Sequence, residues 1–169
     1  ALLRNPAAVL GALILLGMTA LALLAPWLFP GDPLDMVAQP LLWPGQDAAY
    51  PLGSDSLGRD VLAGIAHGAR VSLAVGVVAA VLSLAIGIAV GATAGYLGGV
   101  VDDVLVRLTE LVQTVPTFLL VIVVVAIGRP SVGVIVLAIG LASWPVIARL
   151  VRAEFRTLRE AEFVLAARS

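Results

Sequence analysis

The chain of 169 residues is 61% hydrophobic and 12% charged, with a formal charge of −1 and a mean hydropathy of +1.10, whereas soluble domains carry roughly 25% charged residues. This describes an integral membrane protein, all-α, folded as a polytopic transmembrane helical bundle. With no Cys and one His it has neither a disulfide framework nor the donors for a thiolate or His-cluster metal site, and metal catalysis is not expected.

All ten basic residues are Arg, so there is no Lys-bearing phosphate loop through which the chain itself would hold ATP. The absent initiator Met and the end at Ser169 within a helical pattern lead us to expect a fragment of a longer chain. Its 169 residues leave room for one membrane domain and no separate catalytic domain.

No charge falls between Arg4 and Asp32, and residues 7–29 suffice, at 1.5 Å per residue, to cross a hydrocarbon core of ~30 Å. A secretory signal peptide competes for this stretch, but the run exceeds the usual apolar core of about 7–15 residues. We assign 1–30 as the N-terminal segment and first span. Residues 31–70 follow as a mildly acidic, Pro-rich loop with Asp32, Asp35, Asp47, Asp55 and Asp60. Within it a helix capped by Ser54 or Asp55 and running to Arg70 is expected to lie at the membrane interface.

Residues 71–169 form the core, with spans two to four. Span two, 71–101, is uncharged. Ala79, Ser83, Gly87, Gly91, Gly95 and Gly99 recur at every fourth position, drawing a ridge of small side chains that permits close approach of another backbone. Asp102, Asp103, Arg107 and Glu110 make a polar turn into span three, 111–128, where Pro116 is expected to introduce a kink. Glu110, Gln113 and Thr114 at its start are candidates for a translocation path, since polar side chains in membrane helices face an interior or water. Equally, Glu110 could pair with Arg107 or sit among headgroups. After Arg129 and Pro130, span four covers 131–148, with Trp144 read as an interface anchor and Pro145 as a bend.

Arg149, Arg152, Arg156 and Arg159, spaced 3, 4 and 3, form one helical stripe, and Val151, Phe155 and Leu158 form another. This reads as an amphipathic element at a membrane surface. Past Arg159 the phase breaks, predicting a bend near residues 158–161 and a second short helix over 162–169. With four spans, both termini share a side. Seven Arg there (4, 107, 149, 152, 156, 159, 168) against Arg59, Arg70 and Arg129 opposite place the N-terminus in the cytoplasm. Ser54, Ser56 and Ser72 lie near His67, Asp55 and Asp60 in sequence, but no Gly-x-Ser-x-Gly elbow is present. An enzyme is not expected.

Several runs carry a family resemblance. They are Pro51-Leu52-Gly53-Ser54-Asp55-Ser56-Leu57-Gly58-Arg59-Asp60-Val61-Leu62, then Gly68-Ala69-Arg70-Val71-Ser72-Leu73, then Ala94-Gly95-Tyr96-Leu97-Gly98-Gly99 with Asp102 and Arg107, and residues 144–152. Together they resemble the inner-membrane permease subunits of ABC importers for dipeptides, oligopeptides and nickel, specifically the second permease of the pair. Glu162-Phe163-Val164-Leu165-Ala166-Ala167-Arg168 is similar to the opening of that family's cytoplasmic EAA loop, with Leu165 at the motif's Glu position. The resemblance implies the type I importer permease fold, of which this would be the N-terminal four of six spans. It implies a homologous second permease, cytoplasmic ABC ATPase subunits and an extracytoplasmic substrate-binding protein as partners, besides the lipid bilayer, and no nucleic acid. No cofactor would be bound directly, ATP and Mg being used by the ATPase subunits. Glu162, Phe163, Leu165, Ala166, Ala167 and Arg168 would dock on the ATPase. The cargo would be peptide, with nickel chelates and glutathione as alternatives. From another class, a self-associating small channel or structural scaffold would use the glycine ridge.

Overall fold

The computed structural model describes residues 5–161. Five helices account for most of them: α1 (Pro6–Leu28), α2 (Val61–Leu97), α3 (Gly99–Thr114), α4 (Thr117–Ile127) and α5 (Val132–Arg159). The chain divides into two compact units between Ala74 and Val75.

In the first unit, α1 starts where the Asn5 side chain accepts a hydrogen bond from the Ala7 N–H at 3.1 Å, with Pro6 at the first helical position. That residue pair satisfies one orphan amide and removes another. The segment that follows is not an open loop. Leu41 N donates to Asp55 O at 2.9 Å, Ser54 N to Leu42 O at 3.1 Å, and Val37 N and Ala38 N both donate to Gly58 O at 3.0 Å. Gly53 and Gly58 sit at φ +74° and +76°, where a Cβ would overlap the carbonyl oxygens of Leu42 and Ala38. Only glycine combines that backbone region with that closeness.

Ser54, 7% exposed, accepts from Leu42 N at 3.1 Å and donates its hydroxyl proton to Gln39 O. Its oxygen is thereby committed to holding the loop. His67 Nε2 lies 3.1 Å from Phe29 O, joining the second turn of α2 to the residue that caps α1.

The helix expected to start at Ser54 or Asp55 begins instead at Val61, and it continues past Arg70 to Leu97 as one element of 37 residues. Asp55 does not cap it because its carboxylate closes a tight turn, accepting from Leu57 N at 2.8 Å and Arg59 N at 2.9 Å. Asp60 takes the capping position, accepting from Leu62 N at 2.8 Å.

In the second unit α5 is the spine, and α3 and α4 pack on it. Alongside it, α2 runs parallel in constant register. Ser83 Oγ donates to Gly140 O at 3.1 Å, and Gly87, Gly91 and Gly95 meet Trp144, Ala148 and Arg152 respectively. Each pair is 57 positions apart, as for Ser83 and Gly140. Extending that offset brings Val132, the start of α5, about level with Val75, while Leu97 ends α2 about 33 Å further along. The chain between them must therefore return across a distance comparable to the hydrocarbon core, ~30 Å. α3 and α4 together make that return; with the bent pair taken as one span, up to four segments are long and apolar enough to cross.

The return is not the single kinked helix expected over 111–128. α3 starts back at Gly99, and the α3–α4 pair is bent by 81°. Pro116 forces the residue before it out of the helical region: Val115 is extended at φ −85°, ψ 125°. Span two likewise stops at Leu97 instead of 101, because Gly98 (φ +67°) and Gly99 (φ +55°) turn the chain. Trp144, expected as an interface anchor, is 6% exposed, and Pro145 is fully buried within α5. Both belong to the packed spine.

Hydrogen bonds from Arg59 N, foremost, and from Leu57 N, with the Arg59 charge nearby, hold the Asp55 carboxyl below the usual aspartate range against some desolvation. A lowered folded value means that its contribution to stability is present above the ordinary pKa of about 3.9 and is lost as pH falls through the lower folded value. Protection factors for the Leu57 and Arg59 amides should therefore drop in acid below about pH 4 in the native chain. In Asp55→Ala they should be low already at neutral pH; equal protection of the two proteins at pH 7 would refute the role.

Candidate functional site

Charged side chains of α3 and α5 gather at the end of the second unit where α2 stops and α3 starts. Their arrangement follows from the small-residue ridge. Ala79, Ser83, Gly87, Gly91 and Gly95 are all buried, and α5 lies directly over three of the glycines. A Cβ on Gly87 would come 2.6 Å from Ile147 Cβ, one on Gly95 would come 2.7 Å from both Arg152 O and Phe155 Cβ, and one on Gly91 would overlap Ala148 O. Gly99 lies past the end of α2, exposed, and a Cβ there would meet nothing within 4 Å. The ridge thus faces the chain's own α5, backbone to backbone, which is the close approach that small residues permit between membrane helices.

That approach sets the position of the arginine stripe. α5 is about 42 Å long, some 12 Å more than the hydrocarbon core, and its last two turns carry Arg152, Arg156 and Arg159. Arg152 begins those turns. Its Nε donates to Asp102 Oδ1 at 2.5 Å and its Nη2 to Asp102 Oδ2 at 2.6 Å, a fork-to-fork ion pair with side chains 28% and 12% exposed. Charge-assisted bidentate pairs are the strongest of the common polar contacts. Among the described residues it is the single salt bridge. Arg152 is therefore turned to a carboxylate of its own chain, which corrects the reading of the whole stripe as a membrane-surface face. Arg149, Arg156 and Arg159 are exposed. Arg159 extends its guanidinium over the α2–α3 turn, 2.6 Å from where a Cβ on Gly98 would sit. Val151 and Phe155, on the other stripe, pack against Gly91 and Gly95.

Beside the ion pair, a cleft of about 190 Å³ opens between α2, α3 and α5, with Val90, Ala94 and Val106 along its body and Glu110, Arg149 and Arg152 among its walls. Thr109, buried at its edge, donates its hydroxyl to Leu105 O at 2.7 Å. Of the candidate path residues, Glu110 lines this cleft. Gln113 lines a different cavity, of about 280 Å³, at the Val115–Pro116 break and against Ala142 and Val146 of α5. Thr114 is exposed and donates to Glu110 O at 3.0 Å. The three are neighbours in sequence but not members of one pocket. The docking candidates Glu162, Phe163, Leu165, Ala166, Ala167 and Arg168 lie outside the described residues; α5 ends at Arg159 with Glu160 as its C-cap.

The Asp102–Arg152 pair escaped the sequence reading because its members are 50 residues apart. The spacing of the ridge holds the missing signal: the same four-residue period recurs on α5 at Gly140, Trp144, Ala148 and Arg152, and aligning the two series places Arg152 at the end of α2.

Residues 87–169 match the family described as the binding-protein-dependent transport system inner membrane component, and residues 1–48 match the N-terminal TM domain of oligopeptide transport permease C. The chain belongs to the inner-membrane permeases of binding-protein-dependent transport systems. It is 36% identical over 166 residues to the dipeptide transport system permease protein DppC of Haemophilus influenzae, covering 95% of this chain and 56% of that protein. It is 42% identical over 167 residues to the oligopeptide transport system permease protein OppC of Escherichia coli, covering 98% and 55%. To the glutathione transport system permease protein GsiD of Pectobacterium atrosepticum it is 36% identical over 167 residues, covering 99% and 56%. The chain spans about half the length of the curated relatives it matches.

Replacing Gly91 by Leu forces a side chain against the α5 backbone, and overpacking of this kind costs about 1–3 kcal/mol. Gly76, on the same helix with nothing within 4 Å of its Cβ position, supplies the control. Denaturant unfolding in detergent should show a lowered midpoint for Gly91→Leu and a change within about 0.5 kcal/mol for Gly76→Leu. Equal effects at both positions would refute the close approach.

Proposed function

We propose that the chain is part of the permease of an ATP-driven importer in the bacterial cytoplasmic membrane, lining the path by which peptides cross. The observation that carries this reading is the match to dipeptide and oligopeptide permeases over 95–98% of the chain. The glutathione permease among its relatives fits the same cargo class, since glutathione is itself a tripeptide. Hydrolysis of ATP with Mg would take place in partner ATPase subunits, and an extracytoplasmic binding protein and a homologous permease would complete the assembly. Movement of helices about a central site then exchanges access between the two sides.

The break at Val115 and Pro116 supports a place for α3 and α4 beside that path. Backbone carbonyls freed by a helix break are tolerated at membrane depth only under protein cover or beside water. Gln113 lines the cavity at this break, and Glu110 the cleft one turn before it. At the other end of the mechanism, α5 stops at Arg159, and Phe163 in the following segment is the apolar side chain that a groove on an ATPase would receive; burying a Phe is worth roughly 1.5–3 kcal/mol. The arginine bias orients the N-terminus to the cytoplasm.

Two measurements test this reading. In the complete protein, Phe163→Asp should leave membrane insertion intact and weaken ATPase association or uncouple hydrolysis from uptake; unchanged transport and cargo-stimulated ATPase activity in reconstituted vesicles would refute the docking role. For orientation, Asp47→Cys should react with an impermeant thiol reagent added to intact cells and Arg156→Cys should not, and the reverse pattern would overturn the topology. Failure of any ATPase to co-purify with the native complex would favour a channel or scaffold instead.

A further inference from the structure

The last two turns of α5 meet the rest of the second unit around the α2–α3 turn. Arg152 O and Phe155 Cβ press on Gly95, the Arg159 guanidinium lies over Gly98, and the Arg152 fork holds both oxygens of Asp102. These contacts differ in kind. Packing against Gly95 and Gly98 is held by dispersion, which is weak per atom pair and forfeits a quarter to a half of its well when a gap of about 0.5–1 Å opens. An ion pair with two parallel hydrogen bonds also resists separation, because parting α3 from α5 breaks both bonds together and leaves two charges partly desolvated. It sits on the first turn of α3, directly after two successive glycines at φ +67° and +55°, so at this end α3 is attached to α2 through a turn with little side-chain bulk and to the last turns of α5 through this pair. At its other end α3 terminates at the 81° break that carries Gln113.

We propose that Asp102 and Arg152 act as a positioning pair, through which displacement arriving at the end of α5 draws α3 with it in both directions and so reaches the broken helix. The proposal rests on the reading of the chain as an importer subunit driven through the segment after α5. Neither residue contacts cargo or nucleotide in this scheme. Its consequence is a separation of functions: without the pair, the ATPase still docks and turns over, but the return stroke no longer reaches α3.

The test uses the complete permease with its partner subunits, in vesicles, with Asp102→Asn, Arg152→Gln, the double variant, and Arg152→Lys, which keeps charge and stem but loses the fork geometry. Each single variant should retain ATPase co-purification and ATP hydrolysis while peptide transport falls about tenfold or more, and the double variant should be no worse than either single, because the two residues act as one unit. Arg152→Lys should assemble like the native protein and still fall short in transport, so that poor folding of the neutral variants does not decide the matter. Native transport in any single variant, multiplying losses in the double, or transport and hydrolysis falling in proportion would overturn the proposal. Absence of ATPase from the native preparation would instead overturn the importer reading on which it rests.

Discussion

The second unit depends on one constraint, that α2 and α5 touch through their backbones. Membrane helices have no hydrophobic drive toward one another, lipid being as apolar as Leu, and associate through packing, interhelical hydrogen bonds and lipid entropy. Small residues at Ser83, Gly87, Gly91 and Gly95 bring the carbonyls of α5 against α2, and the Ser83 hydroxyl adds a hydrogen bond to Gly140 O. Everything else follows from the register. It makes the helices parallel, obliges α3 and α4 to cross back, and sets Arg152 beside the first turn of α3, where Asp102 neutralises it.

The two ends of α3 contrast in how they treat backbone and charge. At the turn with α2, glycines relax the chain and an ion pair fixes it. At the break with α4, Pro116 interrupts the helix and no side chain caps the new start; the amides of Leu119 and Leu120 turn back to Pro116 O at 2.9 and 3.1 Å. α4 has no buried residue within this chain. A helix that packs on α5 along one side with no residue fully buried, joined through an uncapped break, has its remaining faces open to lipid or to other protein.

Much of this was legible in the sequence. Composition gave the membrane class, the charge-free runs gave α1 and the C-terminal end of α2 to within a few residues, and the period of four marked the buried face of α2. Other features were not local. Asp55 reads as a helix cap, because Ser and Asp before an apolar run usually are, but the carboxylate closes its own turn, a choice settled by long-range bonds from residues 37–42. Trp144 reads as an anchor from its place near the end of an apolar run. It is buried because α5 continues to Arg159, and the run therefore ends in the middle of a helix. The arginine stripe looked like a surface feature because its partner carboxylate lies 50 residues away. Pairing across that distance is fixed by helix register, which a single helical wheel does not contain.

Parallel packing also orders events during synthesis. Antiparallel neighbours joined by a short turn enter the bilayer as a hairpin, but two parallel helices cannot. Ser83 emerges 57 residues before the Gly140 it binds, and at roughly 5–20 residues per second the gap is about 3–11 s. During that interval the glycine face of α2 and the Ser83 hydroxyl stand unpartnered in or near the translocon, open to lipid, to a chaperone or to the wrong helix. A ribosome that slows between the codons for these two positions would lengthen the exposure, and premature release before α5 would leave a nascent chain carrying a sticky seam with nothing to close it.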